Sequence, residues 1–183
     1  MTPLDVRPVA GEFPPYASIY VDAAAQSMAE QGVGTLTTLL ADQIPMLRKL
    51  VGSVGADRVH ASYAPGKWTL AESLVHVADT ERVFSYRLLR IARGDQTPLP
   101  GFDQDAWVPA SRCARRTLAD ILTEIESVRS ASLALIDSLD DDAMLSTGVS
   151  SGQPASVRGL AWMIAGHFAH HLEITRTRYL GEG

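Results

Sequence analysis

Apolar residues recur at helical spacing through four stretches of the chain, and this pattern limits the possible folds more than any other feature. In the clearest stretch they return at steps of four and three, with Glu81 at the stripe position between Val77 and Phe84: Leu70, Leu74, Val77, Phe84, Leu88 and Ile91. Such a stripe covers one face of a helix and is typical of a seam in a helical bundle. No alternating run of β-branched residues competes with it. The sequence therefore predicts an all-α fold with few if any strands.

Four long helices are predicted, separated by stretches rich in Pro, Gly and Ser. Their approximate ranges are 35–51, 69–93, 117–139 and 156–180. Thr69 with Glu72, and Thr117 with Asp120, form capping boxes that start the second and third helices. The Pro- and Gly-rich segment 96–116 is too broken for a long helix and is predicted to be a long crossover loop.

The chain divides into an arm and a bundle. Residues 1–34 are predicted to be an N-terminal arm, partly irregular, in which residues 16–31 form a short helix or a packed segment. Residues 35–183 are predicted to be the four-helix bundle. The Ser- and Gly-rich segment 146–154 is interpreted as turn material.

Charge and cysteine content exclude several classes of function. The chain of 183 residues has a net charge of −5 and no cluster of Lys and Arg, so binding to nucleic acid is not expected. The single cysteine, Cys113, excludes an internal disulfide and fits a reducing compartment. No stretch stays apolar for the roughly 18 residues that a membrane span needs. We therefore expect a cytoplasmic protein that does not enter a membrane.

Five histidines are the candidates for chemistry: His60, His76, His167, His170 and His171. At about 100° per residue, His167 and His171 lie about 40° apart on one face of the last helix. That face also carries Leu160, Met163, Ile164 and Ile174, so both imidazoles are predicted to point into the core.

Two imidazoles in apolar surroundings need a polar partner, and a bound cation provides one. His-x-x-x-His spacing places two ring nitrogens within reach of one ion. The proposed third ligand is His76, on the shoulder of the second helix's apolar stripe, where it can face the gap between two helices. His170 is an alternative partner for His167, whereas His60 lies in a predicted loop.

Other charged residues are interpreted as structural. Glu81 falls within the apolar stripe of the second helix and needs a partner, either an Arg or a metal-ligating His, and a structural ion pair is favoured over a catalytic base. The remaining candidates are predicted to lie on solvated faces or at the edge of the bundle: Asp79, Arg87, Arg90, Arg93 and Arg129.

Several motifs together resemble the DinB-like superfamily. They are Pro65-Gly66-Lys67-Trp68-Thr69 leading to His76, Asp79-Thr80-Glu81-Arg82, Arg87-Leu88-Leu89-Arg90, the loop Pro100-Gly101-Phe102-Asp103-Gln104-Asp105, and the ending Gly166-His167 through His170-His171 to Tyr179-Leu180. The likeness runs from about residue 35 to the end of the chain. It implies an up-down-down-up four-helix bundle in which His76, His167 and His171 bind one divalent ion.

The resemblance also suggests activities, because the superfamily includes thiol-dependent transferases and isomerases. Three neutral imidazoles leave an ion such as Zn²⁺ or Ni²⁺ with open coordination positions, as in catalytic sites. The first hypothesis is a metal-dependent thiol S-transferase, in which a low-molecular-weight thiol attacks a small electrophile. The second is a metal-dependent hydrolase that uses activated water, and the third is a non-catalytic metal-binding bundle, such as a stress-response dimer.

Apolar residues left over from the predicted seams suggest a further contact. Leu39 and Leu40 are adjacent, and Trp162, Phe168 and Leu172 lie away from the His167 face. Either a second copy or the N-terminal arm must cover this surface. The sequence predicts a homodimer.

Overall fold

The computed structural model describes residues 2–182 and is predominantly helical. The helices, in chain order, are α1 Ser18–Gln31, α2 Leu36–Val51, α3 Ala56–Val59, α4 Leu70–Ala92, α5 Gln104–Ala110, α6 Leu118–Asp137, α7 Asp141–Leu145 and α8 Val157–Ile174. The strands are β1 Thr147–Ser150 and β2 Gln153–Ser156. Met1 and Gly183, the ends of the predicted arm and bundle, lie outside the described residues.

The predicted four-helix bundle is confirmed, and α2, α4, α6 and α8 form it. Helix α4 packs against α6 and α8, and α2 packs against the same two helices. Both predicted capping boxes are present, since Thr69 and Glu72 bond to each other's backbone at the start of α4, as Thr117 and Asp120 do at α6. The predicted stripe of α4 is buried along its whole length.

Helix α1 lies along α8 and adds a further layer to the bundle. The segment before α1 covers Trp162, whose indole N–H donates to the carbonyl oxygen of Leu4 over 2.8 Å. Phe168, Leu39 and Leu40 are also buried within the chain, and Leu172 is half-buried. All of the residues that suggested a second copy except Leu172 are thus covered by the chain's own segments, and the homodimer stays a prediction with little of that support.

Residues 146–154 form more than a turn, which corrects the sequence interpretation. Strands β1 and β2 pair antiparallel, with Ser150 opposite Gln153. The connecting residues Ser151 and Gly152 both have positive φ, as the tight turn of a two-residue hairpin requires. The strands are too short to show alternation in the sequence.

The crossover between α4 and α6 is fastened to this hairpin. Leu99 donates its backbone N–H to Val149 and accepts from Ser151, both over 2.9 Å. The segment then continues into the short helix α5, so the predicted loop is partly helical. These bonds place Gly101 and Phe102 beside the bundle, where they become part of the site.

Arg129 is not at the edge of the bundle but in its centre, with 1% of its surface exposed. Its guanidinium forms a bidentate ion pair with Glu81, with both N–H···O distances 2.8 Å. It also donates to the carbonyl oxygen of Leu40 and to the amide oxygen of Gln43. Glu81 therefore forms the structural ion pair that its position predicted, and Arg129 is a buried partner.

No helix within residues 2–182 is long and apolar enough to cross a membrane.

Candidate metal centre

Three histidines from two helices converge at the edge of the core, next to α1; His76 and His167 are buried and His171 is half-buried. His76 lies on α4, and His167 and His171 lie one turn apart on α8. Each offers one potential ligand atom, and the three atoms lie within 4.8 Å of one another. The Nε2 atoms of His76 and His167 are 3.1 Å apart. The structure thus brings together the three histidines that the sequence singled out.

The geometry of this cluster fits a divalent ion. Two zinc–nitrogen bonds of about 2.0–2.1 Å at a tetrahedral angle would hold their nitrogens about 3.3 Å apart, close to the distance between His76 and His167. Imidazole nitrogens suit Zn²⁺ and Ni²⁺ alike. His170 is turned away, half-exposed, with its ring edge against Tyr20, and His60 is exposed in a loop.

Polar side chains of α4 lie beside two of the rings. The hydroxyl of Ser73 lies 3.1 Å from Nδ1 of His171, which leaves Nε2 of that ring free to bind an ion. The hydroxyl of Thr80 lies 3.4 Å from Nδ1 and 3.5 Å from Nε2 of His76, so it contacts that ring without selecting one nitrogen. Since Ser73 and Thr80 flank His76 at three and four residues along the helix, they share its face.

The surroundings keep the imidazoles neutral. Burial lowers the pKa of His76 to about 4, although the negative charge of Asp105 acts in the opposite direction. Burial, together with the neighbouring His76 and His170, lowers the pKa of His171 to about 3. The pKa of His167 is also far below its usual range, first because of burial and then because of the adjacent histidines. Neutral rings are the form that binds metal.

A cavity of about 300 Å³ opens beside the cluster, with His167 in its wall. Most of its lining is aromatic or uncharged polar: Tyr16, Tyr20, Thr80, Phe84, Gly101, Phe102, Gln104 and Ser151. We call it the inner cavity. Burial raises the pKa of Tyr20, so this phenol stays protonated and can donate a hydrogen bond to a ligand.

A second space, the outer cleft, adjoins the inner cavity and shares Gly101 and Phe102 with it. Its volume is about 400 Å³. Arg87 lines it, with only 2% of its surface exposed. This position corrects the prediction that Arg87 belongs to a solvated face.

Sequence reasoning missed two parts of the site. Ser73 and Thr80 could have been found, because both are polar residues at helical spacing from His76. No sequence pattern pointed to Tyr16 and Tyr20, because they reach the site only through the packing of α1 along α8.

Fold and cluster together define a class of protein, namely four-helix bundles that carry three clustered histidines beside a cavity. Within that class the sequence profile of the DinB superfamily matches residues 39–175, which is most of the chain. The chain therefore belongs to the DinB superfamily, as the motifs predicted.

Two relatives illustrate the likeness. The chain is 27% identical over 129 residues to a protein of Oceanobacillus iheyensis named "putative metal-dependent hydrolase", with 68% of this chain and 74% of that protein covered. The solved structure of YfiT from Bacillus subtilis, described as a probable metal-dependent hydrolase with an unusual four-helix bundle topology, superposes with a TM-score of 0.71. It is 18% identical and the match covers 81% of this chain and 87% of that one, which shows a shared fold.

Proposed function

We propose that this protein is a metal-dependent hydrolase of small esters or amides, with His76, His167 and His171 as ligands of one divalent ion, Zn²⁺ or Ni²⁺. The observation that carries the proposal is the convergence of three neutral imidazoles next to a cavity that can hold a small molecule. Three protein ligands leave coordination positions for water or substrate, as catalytic zinc sites do. The names of the two relatives support the same class of reaction.

An ion held by His76, His167 and His171 would supply Lewis acidity, which would lower the pKa of an attacking nucleophile and polarise a carbonyl group. In the hydrolysis, the oxygen of water bonds to the carbonyl carbon and the bond from that carbon to the leaving oxygen or nitrogen breaks. The water proton has to be accepted and passed to the leaving group. The protein groups beside the cavity must carry this proton.

Asp105 is the candidate for that proton transfer. It is an exposed residue in the first turn of α5, adjacent in the chain to Gln104 of the cavity wall, and its negative charge acts to raise the pKa of His76 against the effect of burial. Tyr20, a protonated phenol in the wall of the inner cavity, is the candidate hydrogen-bond donor to the oxygen that gains negative charge. We expect Asp105→Asn to lower kcat by about 10²-fold or more while the bound metal is retained.

Metal analysis tests the ligand set directly. Purified protein, loaded with Zn²⁺ or Ni²⁺ and freed of excess ion, should contain one equivalent, and His76→Ala, His167→Ala and His171→Ala should each lose most of it. His170→Ala is the matched control and should retain the full equivalent. Retention of a full equivalent by His76→Ala would remove that residue from the ligand set.

The thiol transferase hypothesis uses the same ion and the same cavity. A thiol there would lose its proton and attack the electrophile in place of water. The metal-loaded protein should therefore be assayed on chromogenic esters and on small alkylating electrophiles, with and without a low-molecular-weight thiol. Turnover of esters without thiol supports the hydrolase, turnover that requires thiol supports the transferase, and absence of both supports the non-catalytic bundle.

A further inference from the structure

Arg87 is a buried cation without an anionic partner. Its Nη2 donates to the carbonyl oxygen of Pro100 over 2.6 Å and to the hydroxyl of Ser151 over 3.0 Å. Both acceptors are neutral. Within residues 2–182, no carboxylate lies within ion-pair distance of Arg87, and its Nε and Nη1 groups donate to no side chain or carbonyl. A buried charge in this condition is costly.

The other deeply buried arginine of the bundle shows what a complete set of partners looks like. Arg129 has a bidentate carboxylate, Glu81, and two further acceptors, so all three of its nitrogens donate hydrogen bonds. In Arg87 only Nη2 donates hydrogen bonds, and both of its acceptors are neutral. The contrast marks Arg87 as a side chain whose charge the fold leaves unmatched.

Two aromatic rings offset part of this cost. Cζ of Arg87 lies 5.9 Å from the ring centre of Phe84 and 5.8 Å from that of Phe102. Such cation–π contacts are weaker than a buried ion pair. Burial lowers the pKa of Arg87, and the nearby Tyr16 acts in the opposite direction.

The outer cleft offers the space for a partner. Its walls are largely apolar, with Val83, Leu99 and Trp107 among them. Its other charged residues, Asp79 and Arg82, bond to each other, and Arg82 also pairs with Glu124. The charge left for a ligand is therefore the positive charge of Arg87.

We propose that the outer cleft binds a small apolar carboxylate, with Arg87 as its counter-ion. The apolar walls take the body of the acid, and the planar guanidinium matches the carboxylate. Because Gly101 and Phe102 border both spaces, a substrate held here by its carboxylate extends past Phe102 toward the histidines. This last step rests on the proposed function and narrows the substrate class to esters or amides that carry a free carboxylate.

A purely structural role for Arg87 makes a different prediction. Its bonds to Pro100 and Ser151 hold the crossover segment and the hairpin together, so its replacement would lower stability. Such a role would not make the cleft prefer an anion over a neutral molecule of the same shape. The test therefore compares an acid with its amide.

Isothermal titration with 3-phenylpropionate and 3-phenylpropionamide measures that preference on the full chain. The wild-type protein, both metal-loaded and metal-stripped, should bind the acid at least tenfold more tightly than the amide. Binding that disappears on stripping would mean that the carboxylate coordinates the ion instead, and would overturn the proposal. So would equal binding of acid and amide by the wild type.

Arg87→Met should reduce binding of the acid to the level of the amide, whereas Arg93→Met, an exposed arginine beyond the end of the same helix, should leave it unchanged. If Arg87→Met does not fold, Arg87→Lys tests the proposal instead. It keeps the positive charge and should keep a preference for the acid over the amide. Loss of preference in a folded Arg87→Lys, or its persistence in Arg87→Met, would contradict the proposal.

Metal content and ester turnover are measured on the same preparations. If the protein prefers the acid but fails to bind metal or to hydrolyse esters, the hydrolase proposal is wrong and the carboxylate site is retained. If neutral and carboxylate-bearing esters are hydrolysed at equal kcat/KM, and titration shows no preference for the acid over the amide, the carboxylate site alone is contradicted.

Discussion

At the scale of single residues, Arg129 connects the bundle helices. It lies on α6 and bonds to Leu40 and Gln43 on α2 and to Glu81 on α4, and Gln43 donates in turn to the carbonyl oxygen of Ala165 on α8. The Cζ of Arg129 also lies 4.6 Å from the ring centre of Phe168. Removing two ions from water offsets most of their attraction, so this network specifies the arrangement of the helices more than it stabilises them.

Replacing one partner of the buried ion pair should therefore cost more than replacing both. Arg129→Met leaves the Glu81 carboxylate buried and unpaired, and we expect a loss of about 3–5 kcal/mol in the free energy of unfolding. The double variant Arg129→Met with Glu81→Leu should recover most of that loss. Urea denaturation followed by circular dichroism measures both, and a double variant as unstable as the single one would contradict this account.

Ser73 should act on the metal through His171. Because its hydroxyl holds Nδ1 of that ring, Ser73→Ala should lower the affinity for Zn²⁺ by about 10–100-fold while the fold is kept. Competition with a chromophoric chelator measures the affinity. Ser130→Ala, an exposed serine of α6, is the matched control, and an equal effect of both substitutions would show that Ser73 does not orient the ligand.

At the scale of elements, the contact between α1 and α8 depends on a glycine. A Cβ added at Gly166 would stand 1.7 Å from the carbonyl oxygen of Tyr20, which belongs to the backbone of α1. The two helices can approach this closely only because residue 166 has no side chain. The same contact places Tyr20 in the wall of the inner cavity.

Gly166→Ala should therefore force α1 away from α8. We expect a loss of roughly 3 kcal/mol in the free energy of unfolding, and altered ligand binding in the inner cavity. Gly34→Ala, where an added Cβ meets nothing within 4 Å, should change stability little. Thermal denaturation and amide hydrogen exchange in residues 18–31 test this, and unchanged protection of α1 in Gly166→Ala would contradict it.

At the scale of the whole molecule, the buried histidines make stability depend on pH. In the unfolded chain each imidazole gains a proton as the pH falls through about 6.5, whereas in the folded protein the pKa of His76 is about 4 and that of His171 about 3. Below pH 6.5 the unfolded state thus binds more protons than the folded state. The free energy of unfolding therefore decreases as the pH falls below 6.5. Above pH 6.5 the imidazoles are neutral in both states and this destabilisation is absent.

For the metal-stripped protein, we expect the free energy of unfolding to fall from about pH 6.5 to about pH 4.5, with a slope approaching about 1.4 kcal/mol per pH unit for each imidazole. Carboxylates with lowered pKa values, such as Glu126 beside Arg48, cause a further loss of stability at pH values below that window. Urea denaturation at several pH values gives the slope. His76→Ala should flatten it and His60→Ala, an exposed control, should not.

Metal should stabilise the bundle without being required for its fold. A ligand that binds only the folded state adds about 2.7 kcal/mol at a concentration one hundred times its dissociation constant. Because the core contains extensive apolar clusters besides the histidines, chelation should lower Tm but leave helicity intact. Equal melting curves before and after chelation, on protein shown to start metal-loaded, would argue against an ion in the core.

The homodimer remains a prediction about the whole molecule. All of the residues that motivated it except Leu172 are covered within the chain, and a monomeric mass by light scattering at micromolar concentration would contradict it.

Local patterns in the sequence are enough to predict the helices and the family. Helical periodicity and two capping boxes located the bundle helices to within a few residues, because both signals are local: a stripe and a cap depend only on residues within about one turn of each other. The spacing of His167 and His171 on one face is local in the same way. The motifs within these helices and in the segments between them identified the superfamily.

The contacts of the polar residues, in contrast, follow from how the helices pack. Arg129 and Arg87 have ordinary positions in the sequence, yet one is paired with Glu81 across the core and the other is enclosed by the crossover and the hairpin. Tyr20 reaches the site because Gly166 admits α1. These contacts join residues far apart in the chain, and their partners are set by how the helices pack rather than by any local pattern.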